Sequence, residues 1–294
     1  MQRAAASART LLLMISIVVL THDRVHLLRQ CVEQTLARTS PATKQVVIWD
    51  NGSTDGTRDY LDSIADPRIT VVHSPENIAH NAKARAVRLT TEDYLLELDD
   101  DVIDAPQDWD AKLLDAYRRL PEIGYLAASL VDDPSDSASQ YLKWMRDEQG
   151  GFVEKEIDGI RILEGGIGSG CTITSRDLYD RTGGFPEKRG APYWHLSEWY
   201  QRKLRKLGYR AAYLEELEVW HAGGSLYSEP ALQKADYHRR THKSRARKDR
   251  VKRVILAVPL AGRLNGRFNW FDPPTPQYVP APHFQKSEHD RQAT

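Results

Sequence analysis

The chain has 294 residues, of which 40% are hydrophobic and 28% charged, and this composition excludes the disordered and fibrous classes of protein. The longest apolar run, residues 11–20, is interrupted by Ser16 and falls short of the roughly 18 residues that a membrane-spanning helix needs, so we expect no such helix. The two cysteines, Cys31 and Cys171, cannot form a disulfide framework, and neither has the spacing of a zinc ligand set. We therefore expect a reducing compartment, the cytoplasm.

The charges balance overall, with 41 Lys and Arg against 41 Asp and Glu, but they are unevenly distributed. Residues 239–253 contain nine Lys or Arg and one acid, Asp249, which gives +8 and leaves −8 on the other 279 residues. This asymmetry favours an anionic surface as partner. The segment has no aromatic residue after Tyr237 and no nucleic-acid-binding motif before it, which argues against nucleic acid. Because apolar residues follow, we expect a solvated helix face or a peripheral contact of residues 239–258 with an anionic membrane, at its inner face.

The start of the chain has two readings. Arg3 and Arg9 precede the apolar run, as in a secretory leader. The run lacks a small-residue cleavage site, however, and its β-branched residues, such as Ile15 and Ile17, are typical of a buried parallel strand. We therefore expect residues 1–13 to be an N-terminal extension that leads into the first strand.

Strands and helices alternate as far as residue 131. Apolar runs predict further strands at residues 46–49, 69–73, 94–98 and 123–130, and helical spacing of apolar residues predicts helices at 25–36, 79–89 and 109–120. Asn51-Gly52 signals a turn, after which Ser53, Thr54 or Asp55 is expected to cap a helix that extends to Ile64. Such alternation with short connections predicts an α/β fold, a Rossmann-like and mostly parallel central sheet flanked by helices.

The pattern is looser after Asp132. We expect a glycine-rich loop at 165–170, a strand at 171–174, a short helix capped by Ser175, a helix at 196–207 ended by Gly208, and extended chain at 209–219. Residues 226–294 are predicted to form a basic and proline-rich C-terminal extension.

Polar residues follow three of the predicted strands. These groups are Thr21-His22-Asp23-Arg24, Asp50-Asn51-Gly52-Ser53 and Asp99-Asp100-Asp101. Ligands of parallel sheets bind at the carboxyl ends of the strands, so we expect the three groups to share one edge. Three consecutive aspartates repel one another, and a hard cation such as Mg²⁺ or Mn²⁺ relieves that repulsion while it keeps positions open for phosphates. If the strand geometry continues, Asp99 and Asp101 share a side and Asp100 faces elsewhere.

Three further residues are candidates for the same site. His221 is a candidate metal ligand, although a lone histidine beside an apolar strand is more often a packed residue. Arg85 and Lys83, on the helix before the fourth strand, can neutralise phosphates. The alternative is a solvated helical face, which we favour more for Lys83 than for Arg85.

These residues resemble the motifs of the family 2 glycosyltransferases, enzymes of the GT-A fold. The matching segments, in chain order, are 16–24, 47–57, 75–77 with 84–85, 94–101, 182–187, 204–210 and 219–221. One such motif is weak evidence, whereas seven in the right order are specific. The resemblance covers residues 14–224, and it implies a GT-A domain at 14–225 with a nucleotide-sugar half at 14–131 and an acceptor half at 132–225.

The resemblance implies roles for the residues at the sheet edge. Thr21 and Asp50 match residues that hold the nucleobase, and Arg85 matches an arginine that approaches the nucleotide. Asp99 and Asp101 form the Asp-x-Asp motif, in which the last aspartate binds the metal and its neighbours, including Asp100, approach the ribose. His221 matches a histidine that completes the metal site. Asp23, Arg24 and Asn51 are expected to contribute to the same nucleotide-sugar site.

On the acceptor side, the resemblance places the loop that contains Gly168, Ser169 and Gly170, together with Trp194, around the acceptor cavity. Inverting members carry an acidic pair before the Arg-x-x-Gly-Tyr segment, and its aspartate is the general base. Here Glu198 fits that place only with a one-residue shift, so it competes with an ordinary helix N-terminal acid. His195, which can take a proton near neutral pH, is the second candidate.

The function that follows is transfer of a hexosyl unit from a nucleoside-diphosphate sugar, with UDP favoured, to a glycan or glycolipid hydroxyl, as in cell-envelope polysaccharide synthesis. We expect Mn²⁺ or Mg²⁺ as cofactor, inversion of configuration, and the capacity for a homo-oligomer. One alternative is a metal-dependent nucleotidyltransferase, which would show a glycine-rich phosphate loop near the first strand, where residues 21–24 hold no glycine. Another is a nucleotide-sugar-binding protein with a basic tail that binds an anionic surface.

Overall fold

A computed structural model of the chain describes residues 13–132, 152–187, 196–222, 250–251 and 254–268. The strands are β1 Ile15–Thr21, β2 Thr43–Asp50, β3 Ile69–His73, β4 Tyr94–Asp99, β5 Val102–Asp104, β6 Ile123–Asp132, β7 Val153–Ile157, β8 Ile160–Glu164, β9 Cys171–Ser175 and β10 Arg210–His221. The helices are α1 Val25–Arg38, α2 Thr57–Asp62, α3 Asn81–Val87, α4 Trp109–Arg119, α5 Arg176–Arg181, α6 Leu196–Lys206 and α7 Pro259–Phe268. None of the helices within these ranges is both long and apolar enough to cross a bilayer.

The ten strands form one mixed sheet in the order β3-β2-β1-β4-β9-β6-β10-β8-β7, with β5 paired to β10. Strands β3, β2, β1 and β4 are parallel to one another, and β10 is parallel to β6. Strand β9 is antiparallel to both β4 and β6, so it joins two blocks that run in the same direction. The central sheet is therefore mostly parallel, as predicted.

Each face of the sheet has its own hydrophobic core. On one face Ile17 and Val19 of β1 pack with Leu28 of α1 and Leu113 of α4. On the other face the alternate residue Val18 packs with alanines of α3 and with aromatic residues of α5 and α6. Successive side chains of a strand point to opposite faces, so a strand without polar interruption is covered on both sides. This burial confirms the prediction that the run from residue 15 is a strand.

The short helix α2 starts differently from the prediction. It begins at Thr57, and its cap is Gly56, whose φ of 92° lies in the left-handed region that glycine tolerates. Asp55 still stabilises this end, because its carboxylate accepts hydrogen bonds from the backbone N–H (3.2 Å) and hydroxyl (2.6 Å) of Thr57. At α5, by contrast, the predicted cap is confirmed, since Ser175 Oγ accepts a hydrogen bond from the Leu178 N–H at 3.2 Å.

A buried carboxylate fixes α4 to the loop between α1 and β2. Asp110 is fully buried and accepts hydrogen bonds from the Ser40 N–H (2.8 Å), the Ser40 hydroxyl (2.8 Å) and the Thr43 hydroxyl (2.7 Å). These three hydrogen bonds stabilise the Asp110 carboxylate, whose burial without partners would cost free energy. This contact lies away from the carboxyl edge of the sheet.

Several sequence predictions concern residues outside the described ranges. They are the N-terminal extension up to residue 12, the site candidates Trp194 and His195, most of the basic segment 239–253, and the proline-rich residues after 268. Strands β5, β7 and β8 and helix α7 are elements that the sequence patterns did not indicate.

Candidate active site at the carboxyl edge of the sheet

The register of the parallel strands brings the predicted polar groups to one edge. Thr21, the last residue of β1, is paired with Asp50, and the preceding residue, Leu20, is paired with Asp99. The three strands therefore end side by side, and the residues after them share the space beyond the sheet. This is the edge at which open α/β sheets bind their ligands.

A fourth strand brings His221 to the aspartates. After β4 the chain turns into the short strand β5, and His221, the last residue of β10, is paired with Val102. A backbone hydrogen bond of 2.8 Å from the Ala222 N–H to the Asp101 carbonyl strengthens the same junction. His221 Nε2 lies 3.0 Å from Asp101 Oδ1 as a result.

Asp99, Asp101 and His221 form a group that can hold a metal ion. One ligand atom from each residue lies within 4.8 Å of the others. Two carboxylates and an imidazole suit a divalent first-row metal such as Mn²⁺, and carboxylates also suit Mg²⁺. The structure thus brings the three predicted metal ligands together, and their binding of a metal ion stays a prediction.

The environment keeps Asp101 ionised. Burial raises the pKa of its carboxyl, but the hydrogen bond and charge of His221 and the charge of Arg24 outweigh burial, and the pKa is lowered. In Asp100 burial and the neighbouring charge of Asp101 raise the pKa. A carboxylate must be deprotonated to bind a cation, so Asp101 is the better ligand of the two.

Arg24 holds the two adjacent carboxylates together. Its Nη1 is 3.2 Å from Asp100 Oδ1 and 2.9 Å from Asp101 Oδ2. The expectation that Asp100 faces elsewhere is wrong, because β4 ends at Asp99 and the chain turns, so that strand alternation no longer applies. Both carboxylates are instead buried beside one guanidinium, which partly neutralises them.

Lys83 is the largest departure from the prediction. The solvated helical face that the sequence favours more for Lys83 than for Arg85 is not found, because the Lys83 side chain is only 8% exposed. Its Nζ lies 3.1 Å from Glu97 Oε2, 3.3 Å from Asp99 Oδ1 and 3.4 Å from Ser169 Oγ. Burial alone would lower the pKa of Lys83, but the charges of Asp99 and Glu97 raise it, so the group stays cationic.

Behind Lys83 a polar chain continues into the core. Tyr125 donates a hydrogen bond to Glu97 Oε1 at 2.5 Å, and the Thr172 hydroxyl donates to Tyr125 Oη at 3.0 Å. None of these three residues was among the predicted site residues. The available signal was Glu97 itself, since a charged residue in the middle of an apolar strand requires a partner.

Arg85 lies outside this cluster. Its side chain is 46% exposed, and its Nη2 forms an ion pair of 2.8 Å with Glu187. Arg88 binds the other oxygen of Glu187 at 2.6 Å. The pair joins α3 to the turn after α5, and the predicted approach of Arg85 to a nucleotide stays a prediction.

Asp50 is fully buried and its oxygens are engaged within the protein. Oδ1 accepts a hydrogen bond of 2.8 Å from the Ser53 N–H, while His73 Nδ1 (3.0 Å) and Arg58 Nε (3.4 Å) contact Oδ2. Burial raises the pKa of Asp50, but the bonds from Ser53 and His73 lower it overall. The nucleobase contact assigned to Asp50 stays a prediction, and in this conformation its acceptor atoms already have partners.

Asp23 and Asn51 connect loops at the carboxyl edge of the sheet. Asp23 has a φ of 49°, unusual for a non-glycine residue, and its Oδ1 accepts a 2.6 Å hydrogen bond from the Thr54 N–H. Asn51 is buried, accepts a bond of 3.0 Å from the Ile78 N–H, and donates one of 2.8 Å to Asn77. Both residues therefore connect loops that follow different strands.

The glycine-rich loop at 165–170 adjoins the metal-binding group. The Gly170 carbonyl accepts a hydrogen bond of 2.8 Å from the Asp99 N–H, Gly168 N–H donates to Tyr213 at 2.9 Å, and Ser169 contacts Lys83 as described. A Cβ at Gly170 would lie 2.7 Å from a terminal methyl carbon of Leu130, so a side chain there requires the Leu130 side chain to move. These contacts support the placement of the loop beside the site, while a contact with an acceptor stays a prediction.

Glu198 is exposed in the first turn of α6. Two hydrogen bonds between the Gln201 side chain and the backbone of Ile167 (3.0 and 2.8 Å) fix this helix to the glycine-rich loop. Glu198 is thus on an element that packs beside the site, and its role as a base stays a prediction.

The mostly parallel sheet and the group of Asp99, Asp101 and His221 at its carboxyl edge define a GT-A glycosyltransferase architecture. Residues 16–183, more than half of the chain, match the model of "Glycosyl transferase family 2", and the chain belongs to this family.

Individual relatives are distant. "Uncharacterized protein y4gI" of Sinorhizobium fredii is 22% identical over 225 residues, which are 71% of this chain and 24% of the relative. A crystal structure described as GalNAc-T7 with UDP, GalNAc and Mn²⁺ shares the fold with a TM-score of 0.54, at 14% identity, over 72% of this chain and 44% of that chain. A mannosyltransferase of Pyrobaculum calidifontis in complex with GDP-Man and Mn²⁺ has a TM-score of 0.49 and 23% identity, over 71% of this chain and 56% of that chain. The chain therefore spans less than two thirds of each of these proteins.

Proposed function

We propose that the chain is a metal-dependent glycosyltransferase that moves a hexosyl unit from a nucleoside-diphosphate sugar, with UDP favoured, to a hydroxyl of a glycan or lipid-linked glycan. The observation that carries the proposal is the convergence of Asp99, Asp101 and His221 within 4.8 Å at the carboxyl edge of a GT-A sheet. The structure described as GalNAc-T7 with UDP, GalNAc and Mn²⁺ supports the choice of donor and metal.

Asp101, Asp99 and His221 would hold the Mn²⁺ or Mg²⁺ ion. A bound cation supplies Lewis-acid stabilisation of the charge that develops on the departing diphosphate. The protein holds the ligands in place, because Arg24 fixes Asp101 and Lys83 fixes Asp99. These two cations also reduce the repulsion within the acidic triplet before any ligand binds.

The nucleotide would lie over the ends of β1 and β2, against Thr21, Asp23, Asp50 and Asn51. Asp100, which lies beside Thr21 and Arg24, would approach the ribose. Arg85 reaches the diphosphate only if it leaves Glu187, which is a modest step because both side chains are partly exposed.

Glu198 is the proposed general base, with His195 as the second candidate. It would take the proton of the acceptor hydroxyl as the oxygen attacks the anomeric carbon in line, and configuration at that carbon would invert. The acceptor would lie between the glycine-rich loop and the start of α6, where Gln201 joins the two elements.

The first experiment is a thermal-shift titration of UDP and GDP with Mn²⁺ and with Mg²⁺. We expect the melting temperature to rise only with nucleotide and metal together, since a ligand that binds the native state stabilises it. Asp101→Asn should lose this rise. Asp104→Asn is the matched control, because Asp104 is close in sequence but 53% exposed and outside the metal-binding group. An unchanged rise in Asp101→Asn would contradict the proposed metal site.

The second experiment identifies the reaction by its products. A glycosyltransferase releases the nucleoside diphosphate from the sugar donor, whereas a nucleotidyltransferase releases pyrophosphate from a nucleoside triphosphate. A protein that binds UDP-sugar with Mn²⁺ but releases neither product is a binding protein.

The third experiment tests the base. Glu198→Gln should reduce transfer by about 10²- to 10⁴-fold while the affinity for nucleotide and metal stays the same. Full activity in Glu198→Gln would contradict the role of Glu198 as the general base. His195 would then be the candidate base, and the activity of His195→Gln would test it.

A further inference from the structure

His73 lies between two carboxylates at the carboxyl edge of the sheet. It is the last residue of β3 and is paired with Asp50, the last residue of β2. Its Nδ1 is 3.0 Å from Asp50 Oδ2, and its Nε2 is 3.0 Å from Oδ1 of Asp62 on α2. An ionised carboxylate can only accept hydrogen bonds, so each ring nitrogen is placed to donate. The two contacts differ in kind, because the Asp50 side chain is fully buried whereas that of Asp62 is 68% exposed.

Asp50 depends on its partners to keep one orientation. The last torsion of an aspartate side chain has broad minima, so the rotamer alone does not fix the plane of the carboxylate. Oδ1 accepts a hydrogen bond of 2.8 Å from the Ser53 N–H. Oδ2 is contacted by His73 at 3.0 Å and by Arg58 Nε at 3.4 Å. The Arg58 contact is the longer of the two and its side chain is 48% exposed, so His73 is the main anchor of Oδ2.

The orientation of Asp50 bears on the choice of nucleobase. Burial raises the pKa of Asp50, but hydrogen bonds from Ser53 and His73 lower it overall, so the carboxylate is ionised near neutral pH. A carboxylate can accept the ring N–H of uracil or guanine, whereas cytosine and adenine carry a lone pair on the corresponding ring nitrogen and are repelled. Hydrogen bonds weaken steeply when their angle departs from the preferred range. A carboxylate that is held in one plane therefore discriminates between bases better than one that can turn.

We propose that His73 is a positioning residue for nucleobase recognition. Its Nδ1–H holds the Asp50 carboxylate in the plane in which that carboxylate accepts the ring N–H of uracil or guanine, and Asp62 holds the imidazole through Nε2. His73 acts through Asp50 and not by contact with the base. The proposal rests on the proposed function, because it needs a nucleotide that lies against Thr21 and Asp50.

The competing explanation is purely structural. The contact of Nε2 with Asp62 also joins β3 to α2, and a residue that served only this connection would affect stability but not the choice of base. Two neutral amides separate these roles. The amide nitrogen of an asparagine at this position would lie near the place of Nδ1, and that of a glutamine near the place of Nε2. His73→Asn thus keeps the donor for Asp50, and His73→Gln keeps the donor for Asp62.

The test is the affinity of the full chain for UDP, CDP, GDP and ADP, each with Mn²⁺, measured by calorimetry at pH 7. We expect the parent chain to bind UDP more tightly than CDP, or GDP more tightly than ADP, by at least about tenfold, because the hydrogen bond is to a charged group. Absence of both preferences overturns this proposal alone. If none of the four nucleotides binds, the proposed function fails as well, so the two failures are distinguishable.

The two variants decide whether His73 positions Asp50. His73→Gln should lower the base preference of the parent chain by at least about fivefold, while His73→Asn should stay within about twofold of it. Both amides replace a side chain that is 25% exposed, so we expect the fold to persist. The reverse order, an unchanged preference in both variants, or an equal loss in both overturns the proposal.

A control separates base preference from stability. Asp110 is fully buried and its hydrogen bonds to Ser40 lie away from this edge of the sheet. Asp110→Ala should therefore lower the stability of the chain and keep its base preference. A loss of preference in Asp110→Ala as large as that in His73→Gln would show that the preference only follows stability, and it would overturn the proposal.

Discussion

The ammonium group of Lys83 and the carboxylate of Glu97 form a buried ion pair, with Nζ 3.1 Å from Glu97 Oε2 and 3.3 Å from Oδ1 of Asp99, a member of the metal-binding group. Both side chains are less than 10% exposed, at 8% and 5%. Tyr125 satisfies the second oxygen of Glu97, and Asp99 shares the cation. The pair thus connects the site to the core, and either member alone would be an uncompensated charge in the interior.

Removal of one member should therefore destabilise the fold more than removal of both. Lys83→Met should lower the free energy of unfolding by about 3–5 kcal/mol, because it leaves Glu97 buried without a cation. Addition of Glu97→Gln should restore part of that loss. Urea denaturation of the two single variants and the double variant measures the coupling, and additive effects would show that the two residues act independently.

Arg24 should matter most when the metal is absent. Arg24→Gln removes the cation shared by Asp100 and Asp101, and we expect a loss of about 2 kcal/mol in EDTA, which lowers the melting temperature by about 4–8 °C. Mn²⁺ should reduce this difference, because it supplies positive charge to the same carboxylates. The control is Arg161→Gln, whose ion pair with Glu216 is exposed and should be worth less than about 1 kcal/mol. A deficit in Arg24→Gln that Mn²⁺ does not change would contradict this account.

His73 should make the stability depend on pH. Partial burial lowers its pKa, but hydrogen bonds to Asp50 and Asp62 outweigh burial and raise the pKa above the ordinary value of 6.5. A raised pKa in the folded state stabilises it below the unfolded pKa, and this contribution is lost as pH rises through the folded pKa. The stability difference between the parent chain and His73→Gln should therefore be larger at about pH 5 than at about pH 8. A difference that is constant with pH, measured by urea denaturation, would show that His73 is not charged in the folded protein.

Asp110 should contribute to stability without affecting the site. Asp110→Ala removes three hydrogen bonds to a buried carboxylate and leaves Ser40 and Thr43 unsatisfied, for an expected loss of about 3 kcal/mol. The thermal shift with UDP and Mn²⁺ should keep its size. Asp115→Ala on the same helix is the control, since Asp115 is 67% exposed and should change stability by less than about 0.5 kcal/mol. Loss of ligand binding in Asp110→Ala would mean that the helix also positions the site.

Much of the part of the sheet that β1 to β4 form could be predicted from the sequence. The strands that end at Thr21, Asp50 and Asp99 each contain a mostly apolar run followed by polar residues, and this pattern depends only on neighbours in the chain. The short strands β5, β7 and β8 were missed because charged residues interrupt their apolar residues, unlike those of the equally short β3 and β9, and because their pairing depends on β10 or on each other.

The sites of Lys83 and Arg85 show why side-chain roles were harder to predict. Both residues belong to one short helix, and the sequence does not state which side of α3 faces the sheet. In the structure Lys83 is the buried residue, because Glu97 and Asp99 of β4 compensate its charge, while Arg85 pairs with Glu187 at the surface. Which of the two residues is buried could be decided only from the position of β4 relative to α3.

The order of most strands and helices, the carboxylates at the strand ends and the basic segment follow from the sequence alone, since each is a property of adjacent residues. The folded structure was needed to show that Arg24 joins Asp100 and Asp101, that His221 reaches Asp101 through the pairing of β10 with β5, and that Lys83 is buried. These contacts join residues 76 and 77 positions apart for Arg24, and 86 positions apart for Lys83 and Ser169. Such distances are bridged only when the sheet assembles, because the local pattern at either end carries no information about its partner.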